Sequence, residues 1–265
     1  MLFVDTYTDT NHPEIGQAAV KVLVAAGCRV KVVQRQGCCG RPMISKGLLL
    51  RAREMARRNI AALAPYARRG APIIGLEPSC LLTLRDEYLE FFPNDADAMA
   101  VAKSARLIEE YLTEADANGQ RPVDRLRFRA GGEKWRLHGH CHAKALVGTG
   151  PTLGMLRAAG LEVEEIPSGC CGMAGSFGYE AEHYALSMEI GEMKLLPAAR
   201  AAQRAGEGVT AHGTSCRAQI WDGAGVRAPH PVEVLAGRLV SDDRRRTTDD
   251  GRKTADGRRP TTDDR

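Results

Sequence analysis

The chain has 265 residues, of which 43% are hydrophobic, 26% charged and only 5% aromatic, and its net charge is +4. That length suits one large domain or two ordinary ones with a mostly aliphatic core. The mild charge, with no aromatic-studded basic stripe, argues against nucleic acid as a partner, and the lack of a long apolar run excludes a membrane-spanning helix.

The opening stretch, MLFVDTYTDT, has neither the charged n-region nor the apolar h-region of a signal peptide. A cytoplasmic location is the expectation, and a peripheral seat on the inner face of the membrane is compatible with it. Thiols stay reduced there, so eight cysteines read as metal ligands or redox groups before they read as structural disulfides.

In chain order, residues 1–113 alternate helical and strand-like patterns. A helix is predicted over 14–26, closed by Gly27, and the alternating CRVKVV at 28–33 predicts a half-buried strand. QGCCGRP follows at 36–42. Helices are predicted over 47–64 and 100–113, with the strand-like APIIGLEPSC at 71–80 between them. Residues 114–134 are rich in charge, Gly and Pro and read as a linker.

Residues 135–240 are again α/β in character. They carry HGHCH at 138–142, a predicted helix at 150–159 and the alternating LEVEEI at 161–166. SGCCGMA at 168–174, a predicted helix at 180–203 and GVTAHGTSC at 208–216 follow. Residues 241–265 hold no large apolar side chain, and their opposite charges nearly cancel. Such a segment cannot offset its ordering entropy by burial, so a disordered tail is expected.

The two α/β stretches resemble each other. VKVLVAAGCRVKVVQRQGCCG at 20–40 aligns with LGMLRAAGLEVEEIPSGCCG at 153–172, and each unit later delivers a Ser-Cys pair from a strand-like run. The expected fold is therefore α/β with two pseudo-symmetric repeats and cysteines on loops at strand ends. The second unit offers Cys141, Cys170, Cys171 and Cys216; the first offers Cys38, Cys39 and Cys80. Cys28 aligns with Leu161 and reads as a core residue.

Loops at the carboxyl ends of strands converge in α/β folds, and four thiolates are the usual complement of a [4Fe–4S] cluster. Glycines beside each Cys-Cys pair let the backbone turn sharply and bring N–H groups toward sulfide. Two structural zinc sites, vicinal disulfides and a thiol–disulfide enzyme are the competing readings; the familiar C-x2-C zinc spacing is absent.

GCCGRP…PSC and HGHCHAKAL…SGCCGMAGSFGYE…GTSCRAQI resemble the duplicated cysteine-rich (CCG) domain family of iron–sulfur oxidoreductases, over about residues 2–238. The likeness is closest to the C-terminal part of FAD-linked oxidase and iron–sulfur proteins. The family also includes the CCG-bearing component of heterodisulfide reductase and the iron–sulfur components of glycolate oxidase and anaerobic glycerol-3-phosphate dehydrogenase.

The resemblance implies an iron–sulfur module that relays electrons from a flavin oxidising a 2-hydroxy acid or similar substrate. It implies Cys141, Cys170, Cys171 and Cys216 as one ligand set and Cys38, Cys39 and Cys80 as the other. The FAD is expected on a partner dehydrogenase or on a missing portion, with a ferredoxin-like domain as a further partner. Where many relatives carry another cysteine three residues after the last, this chain has Thr83 and Gln219. No C-x2-C-x2-C-x3-C-P run and no dinucleotide-binding G-x-G-x-x-G element occurs. A zinc-stabilised scaffold protein without redox turnover is the alternative.

Other groups read more plainly. His138, His140 and His142 share one face if the strand continues through Cys141. Asp5 and Asp9 are candidate oxygen ligands, with exposed carboxylates the commoner outcome. Glu109 and Glu110 read as a solvated helix face, His230 and Glu233 either as hydrogen-bonding groups near the site or as part of a helix start with Pro231 at its first position, and Arg217 as either a counter-charge for a cluster or a surface cation.

Overall fold

The computed structural model describes residues 1–33 and 35–240, and the predicted tail at 241–265 lies outside them. The first half contains α1 (Thr6–Thr10), α2 (Pro13–Ala25), α3 (Arg41–Ser45), α4 (Leu49–Ala67), β1 (Ile73–Gly75), α5 (Pro78–Arg85), α6 (Glu87–Phe91), α7 (Ala96–Ser104), β2 (Ala105–Leu107) and α8 (Ile108–Thr113). The second contains β3 (Lys134–His138), α9 (Cys141–Leu146), α10 (Gly150–Ala158), β4 (Glu162–Glu165), α11 (Tyr184–Glu192), α12 (Leu195–Arg204), β5 (Gly208–Ala211), α13 (Thr214–Ala224) and α14 (Pro231–Arg238).

Among the described residues the strands of both sheets pair in parallel, the arrangement that helical crossovers produce and that α/β folds bury on both faces, and Phe128 and Leu239 form an isolated antiparallel bridge. β1 pairs with β2, Ile73 opposite Ala105. Leu2 bridges Val32 on one side and Ile74 on the other, so the chain start lies between two later segments. In the second half β3 is central, with Trp135 opposite Val163 of β4 and Gly208 of β5. The order β4-β3-β5 matches the order of the Val32 segment, the Leu2 segment and β1.

One apolar cluster draws on both halves: Leu2, Val22, Ile108 and Leu112 pack with Leu137, Leu156, Val232 and Leu235. α2 lies on α14, and α8 on α10. Each such aliphatic side chain contributes about 1.5–3 kcal/mol on burial, so shared apolar packing holds the seam between the halves. The predicted linker takes part, because Val123 and Leu126 sit in the same cluster.

Two predicted helices are broken. Over 100–113, Ala105 adopts an extended backbone (φ −73°, ψ 127°), and β2 intervenes between α7 and α8. Pairing with β1 outweighs local helix propensity there. Over 180–203, a one-turn 3-10 helix at Phe177–Tyr179 delays the helical start, and Lys194 (φ −150°) interrupts the run. The interruption turns Leu195 and Leu196 into the core.

Candidate metal centre

β3 ends at His138, one turn short of Cys141. The expected continuing strand is therefore replaced by a helix start. His140 is the N-cap of α9, its Nδ1 accepting from the His142 N–H at 3.2 Å, and Cys141 is the first helical residue. Cys170 and Cys171 lie on the loop after β4. Gly172 closes that loop with φ +104°, and a Cβ there would stand 2.1 Å from the Ser187 carbonyl oxygen, so the turn requires glycine. Cys216 is the third residue of α13, directly after β5. Three parallel strands thus deliver four thiols at their carboxyl ends, where α/β folds place ligands.

These four thiols interact in a row: Cys141 with Cys170, Cys170 with Cys171, and Cys171 with Cys216. The Cys141 and Cys171 thiols donate to Cys170 and hold it far below the ordinary thiol range, helped by the N–H groups of Gly172 (3.3 Å) and Ala174. Cys171 is pushed up because Cys170 and Cys216 both hold its proton. Cys216 is held low by Cys171 and by His138. Four neighbouring thiols cannot all ionise unless a cation sits among them.

His138 adds a nitrogen to this set. Among the described residues, a His138 ring nitrogen and the sulfurs of Cys171 and Cys216 lie within 4.8 Å of one another, all buried. Nδ1 is engaged by the Ser168 hydroxyl at 2.8 Å, while Nε2 is buried without a hydrogen-bond partner. The strand pattern put His138 on one face with His140 and His142 but gave neither its burial nor its sulfur neighbours.

The first set repeats much of this geometry. Cys38 and Cys39 follow the segment that flanks Leu2, and Cys80 is the third residue of α5, after β1. The Cys39 thiol interacts with both Cys38 and Cys80, and the Arg41 N–H points at the Cys39 sulfur at 3.5 Å. Donation to Cys39, then burial, pushes the Cys38 thiol up. Buried Asn59 braces the loop: its amide accepts from the Gly37 N–H at 2.8 Å and donates to the Cys38 carbonyl at 3.0 Å. Tyr88 donates to the Cys39 carbonyl at 2.9 Å.

Thr6, the first residue of α1, lies against the Cys38 sulfur. Asp5 is buried, contrary to the commoner expectation, because it caps α1: Oδ1 accepts from the Tyr7 and Thr8 N–H groups and Oδ2 from the Thr8 hydroxyl. Asp9 is exposed.

Glu77 joins the two sets. It caps α5, accepting from the Ser79 hydroxyl at 2.7 Å, and its other oxygen accepts from the Thr214 N–H of α13 at 2.8 Å. Burial opposes its ionisation, yet His140, Ser79, Thr214 and Arg217 together outweigh burial and hold the carboxyl below its usual range. The only sequence cue was its N-cap position three residues before Cys80.

Glu109 and Glu110 do not form a solvated face. Glu109 is buried against His212, Nε2 to Oε1 at 2.9 Å, and Glu110 takes two 2.8 Å bonds from Arg85. Arg217 is half-buried and braces the β5–α13 turn through the His212 carbonyl and the Thr214 hydroxyl. Thr83 bonds back to the Ser79 carbonyl and Gln219 to the Ser187 carbonyl. Cys28 stands apart from both sets, 3.3 Å from the Tyr111 hydroxyl. Of the two readings of His230 and Glu233, the helix start holds: His230 is the N-cap of α14, Pro231 follows and Glu233 closes a capping box.

The donor chemistry fits an iron–sulfur centre: soft sulfurs neighbouring one another in a row at the ends of three strands, with backbone N–H groups aimed at them. Residues 6–85 match the CCG cysteine-rich domain. The chain is 30% identical over 241 residues to one of the subunits of anaerobic glycerol-3-phosphate dehydrogenase from Escherichia coli K12, covering 89% of this chain and 58% of that protein. It is 33% identical over 200 residues to D-2-hydroxyglutarate dehydrogenase of the same organism, covering 74% of this chain and 18% of that protein. It is 31% identical over 186 residues to lactate utilization protein A of Geobacillus kaustophilus, covering 66% of this chain and 72% of that protein. The chain thus spans a little over half the length of the first relative and under a fifth of the second. Among the described residues, no helix is long and apolar enough to cross a membrane.

Proposed function

The chain belongs to the CCG cysteine-rich domain family of iron–sulfur oxidoreductases, and from that membership we propose that it is the iron–sulfur electron-transfer module of a flavin-linked oxidoreductase. Cys141, Cys170, Cys171 and Cys216 hold a cluster, most simply [4Fe–4S]; Cys38, Cys39 and Cys80 form the weaker set. The cluster supplies one-electron storage. The convergence of four thiols at the ends of β3, β4 and β5 carries this reading.

The chain's own residues determine how that electron is held. Cys171 and Cys216 are buried, which keeps water from the inner side, while Cys141 is exposed and Cys170 half-buried. That side is the entry and exit edge. The Gly172 and Ala174 N–H groups and the His138 ring stabilise negative sulfur and so favour the reduced state. The donor is a flavin-containing dehydrogenase protein or domain that oxidises a 2-hydroxy acid or related substrate, and a ferredoxin-like domain is a further partner. The module works in the cytoplasm or on the inner face of the membrane.

The test is anaerobic purification and reconstitution, assayed for iron, acid-labile sulfide and an EPR signal after dithionite. Wild-type protein is expected to bind iron and sulfide and to bleach on reduction. Cys216→Ser is expected to lose the iron held by Cys141, Cys170, Cys171 and Cys216. Colourless protein holding stoichiometric zinc, unchanged by dithionite, would sink the proposal.

A further inference from the structure

The two cysteine sets differ at one corner, and the difference is chemical. His140 and Asp5 stand in equivalent places: each is an extended N-cap (φ −64°, ψ 132° and φ −71°, ψ 164°) whose side chain accepts from the second helical N–H. The next residue is Cys141 in one case and Thr6 in the other. Cys141 lies against Cys170, and Thr6 lies against Cys38. Cys216 and Cys80 are both the third residue of a helix that follows a parallel strand. Cys171 and Cys39 are each the buried second cysteine of a Cys-Cys pair and the neighbour of the helix-borne thiol, Cys216 and Cys80 respectively. Thr6 therefore occupies the place of a fourth thiolate.

We propose that Cys38, Cys39 and Cys80 form a three-thiolate iron–sulfur site whose fourth corner, beside Thr6, is open to a small oxygen-donor anion such as a carboxylate. This rests on the iron–sulfur reading of the chain but concerns the other cysteine set. A threonine hydroxyl is neutral at pH 7 and does not replace a thiolate as an iron ligand. The neighbouring protein carboxylates do not fill the corner. Both Asp5 oxygens are committed to α1, and both Glu77 oxygens to Ser79 and Thr214. Thr6 is exposed and Cys38 half-buried, so the corner faces solvent. One thiolate fewer also leaves less negative charge there to repel an incoming anion.

The test uses the full chain, reconstituted anaerobically, with citrate as the probe. In wild-type protein, mild ferricyanide oxidation should release one iron from the first set and leave a three-iron EPR signal. Labelled Fe(II), added with dithionite to return the electron that ferricyanide removed, should then re-enter, and citrate should shift its Mössbauer spectrum. Thr6→Cys, which completes the thiolate set, should lower the three-iron signal at least tenfold and abolish the citrate shift. Thr6→Ser should behave as wild type, which separates ligation from folding.

Equal behaviour of wild type and Thr6→Cys overturns the inference, as does an unchanged iron content in Cys38→Ser. Failure of the broader function reads differently: Cys216→Ser would then leave the iron content unchanged.

Discussion

Glu77 ties together α5 and α13, the helices that carry Cys80 and Cys216, and Glu77→Ala measures that tie. The substitution removes the cap of α5, worth about 1 kcal/mol. It also leaves the Thr214 N–H of α13 without its acceptor, which costs about 1–3 kcal/mol. The Ser79 hydroxyl can turn to His140, 3.4 Å away, and adds little.

The expected loss is about 2–4 kcal/mol, or roughly 5–15 °C in Tm for a chain of this size. Urea unfolding of the metal-free chain at pH 7 reads it directly. Glu77→Gln keeps an oxygen acceptor but loses the charge, and should cost about 1–2 kcal/mol.

The pH dependence adds a second check. The Glu77 carboxyl is held below its ordinary value in the folded protein, so its ionised form stabilises the fold above the usual glutamate range of about 4.3. That contribution is lost as pH falls through the depressed folded value. The gap between wild type and Glu77→Gln should therefore narrow below about pH 4. A Glu77→Ala loss under about 1 kcal/mol, or a gap that stays constant with pH, refutes the assignment of Glu77 as a charged tie between α5 and α13.

The Glu109–His212 pair gives a second stability test. His212→Leu leaves a buried carboxylate alone and should cost about 3–5 kcal/mol, whereas Glu109→Leu with His212→Leu should cost much less than the two single losses added. Burial lowers the His212 pKa, but Glu109 outweighs it and the net shift is upward. The pair's contribution is then full below about pH 6.5 and fades as pH rises through the raised folded value; urea titrations at pH 6 and pH 9 check this. Gly172→Ala should cost about 3 kcal/mol or more and lower the iron content of the second set, because its Cβ meets backbone and its φ is positive; Tm and iron assay report both. His138→Asn should shift the second centre's midpoint potential to more negative values without loss of iron, with about 59 mV marking a tenfold change in a one-electron equilibrium. An unchanged potential in redox titration would remove His138 from the centre's immediate surroundings.

The sequence by itself determined the local features. Paired Cys-Cys-Gly stretches, the glycines past two helices, the alternating run at 161–166 and the α/β character are nearest-neighbour patterns with periods of about 2 and 3.6 residues, whereas the alternating run at 28–33 forms only a single bridge at Val32. Gly27 and Gly160 do take positive φ, and α2 and α10 fall within about a residue of where the periodicity places them.

What only the tertiary structure decided lies across long chain separations. Glu77 meets Thr214 from 137 residues away, and His212 and Glu109 neutralise each other inside a core drawn from both halves. Thr6 carries no motif, and its place beside Cys38 follows from how the chain start threads between Val32 and Ile74. The helix over 100–113 broke for the same reason: a strand pairing with β1 has no trace in the periodicity of the segment itself. Local preference amounts to tenths of a kcal/mol per residue, and a buried pairing to one or more, so where the two conflict the distant contact prevails.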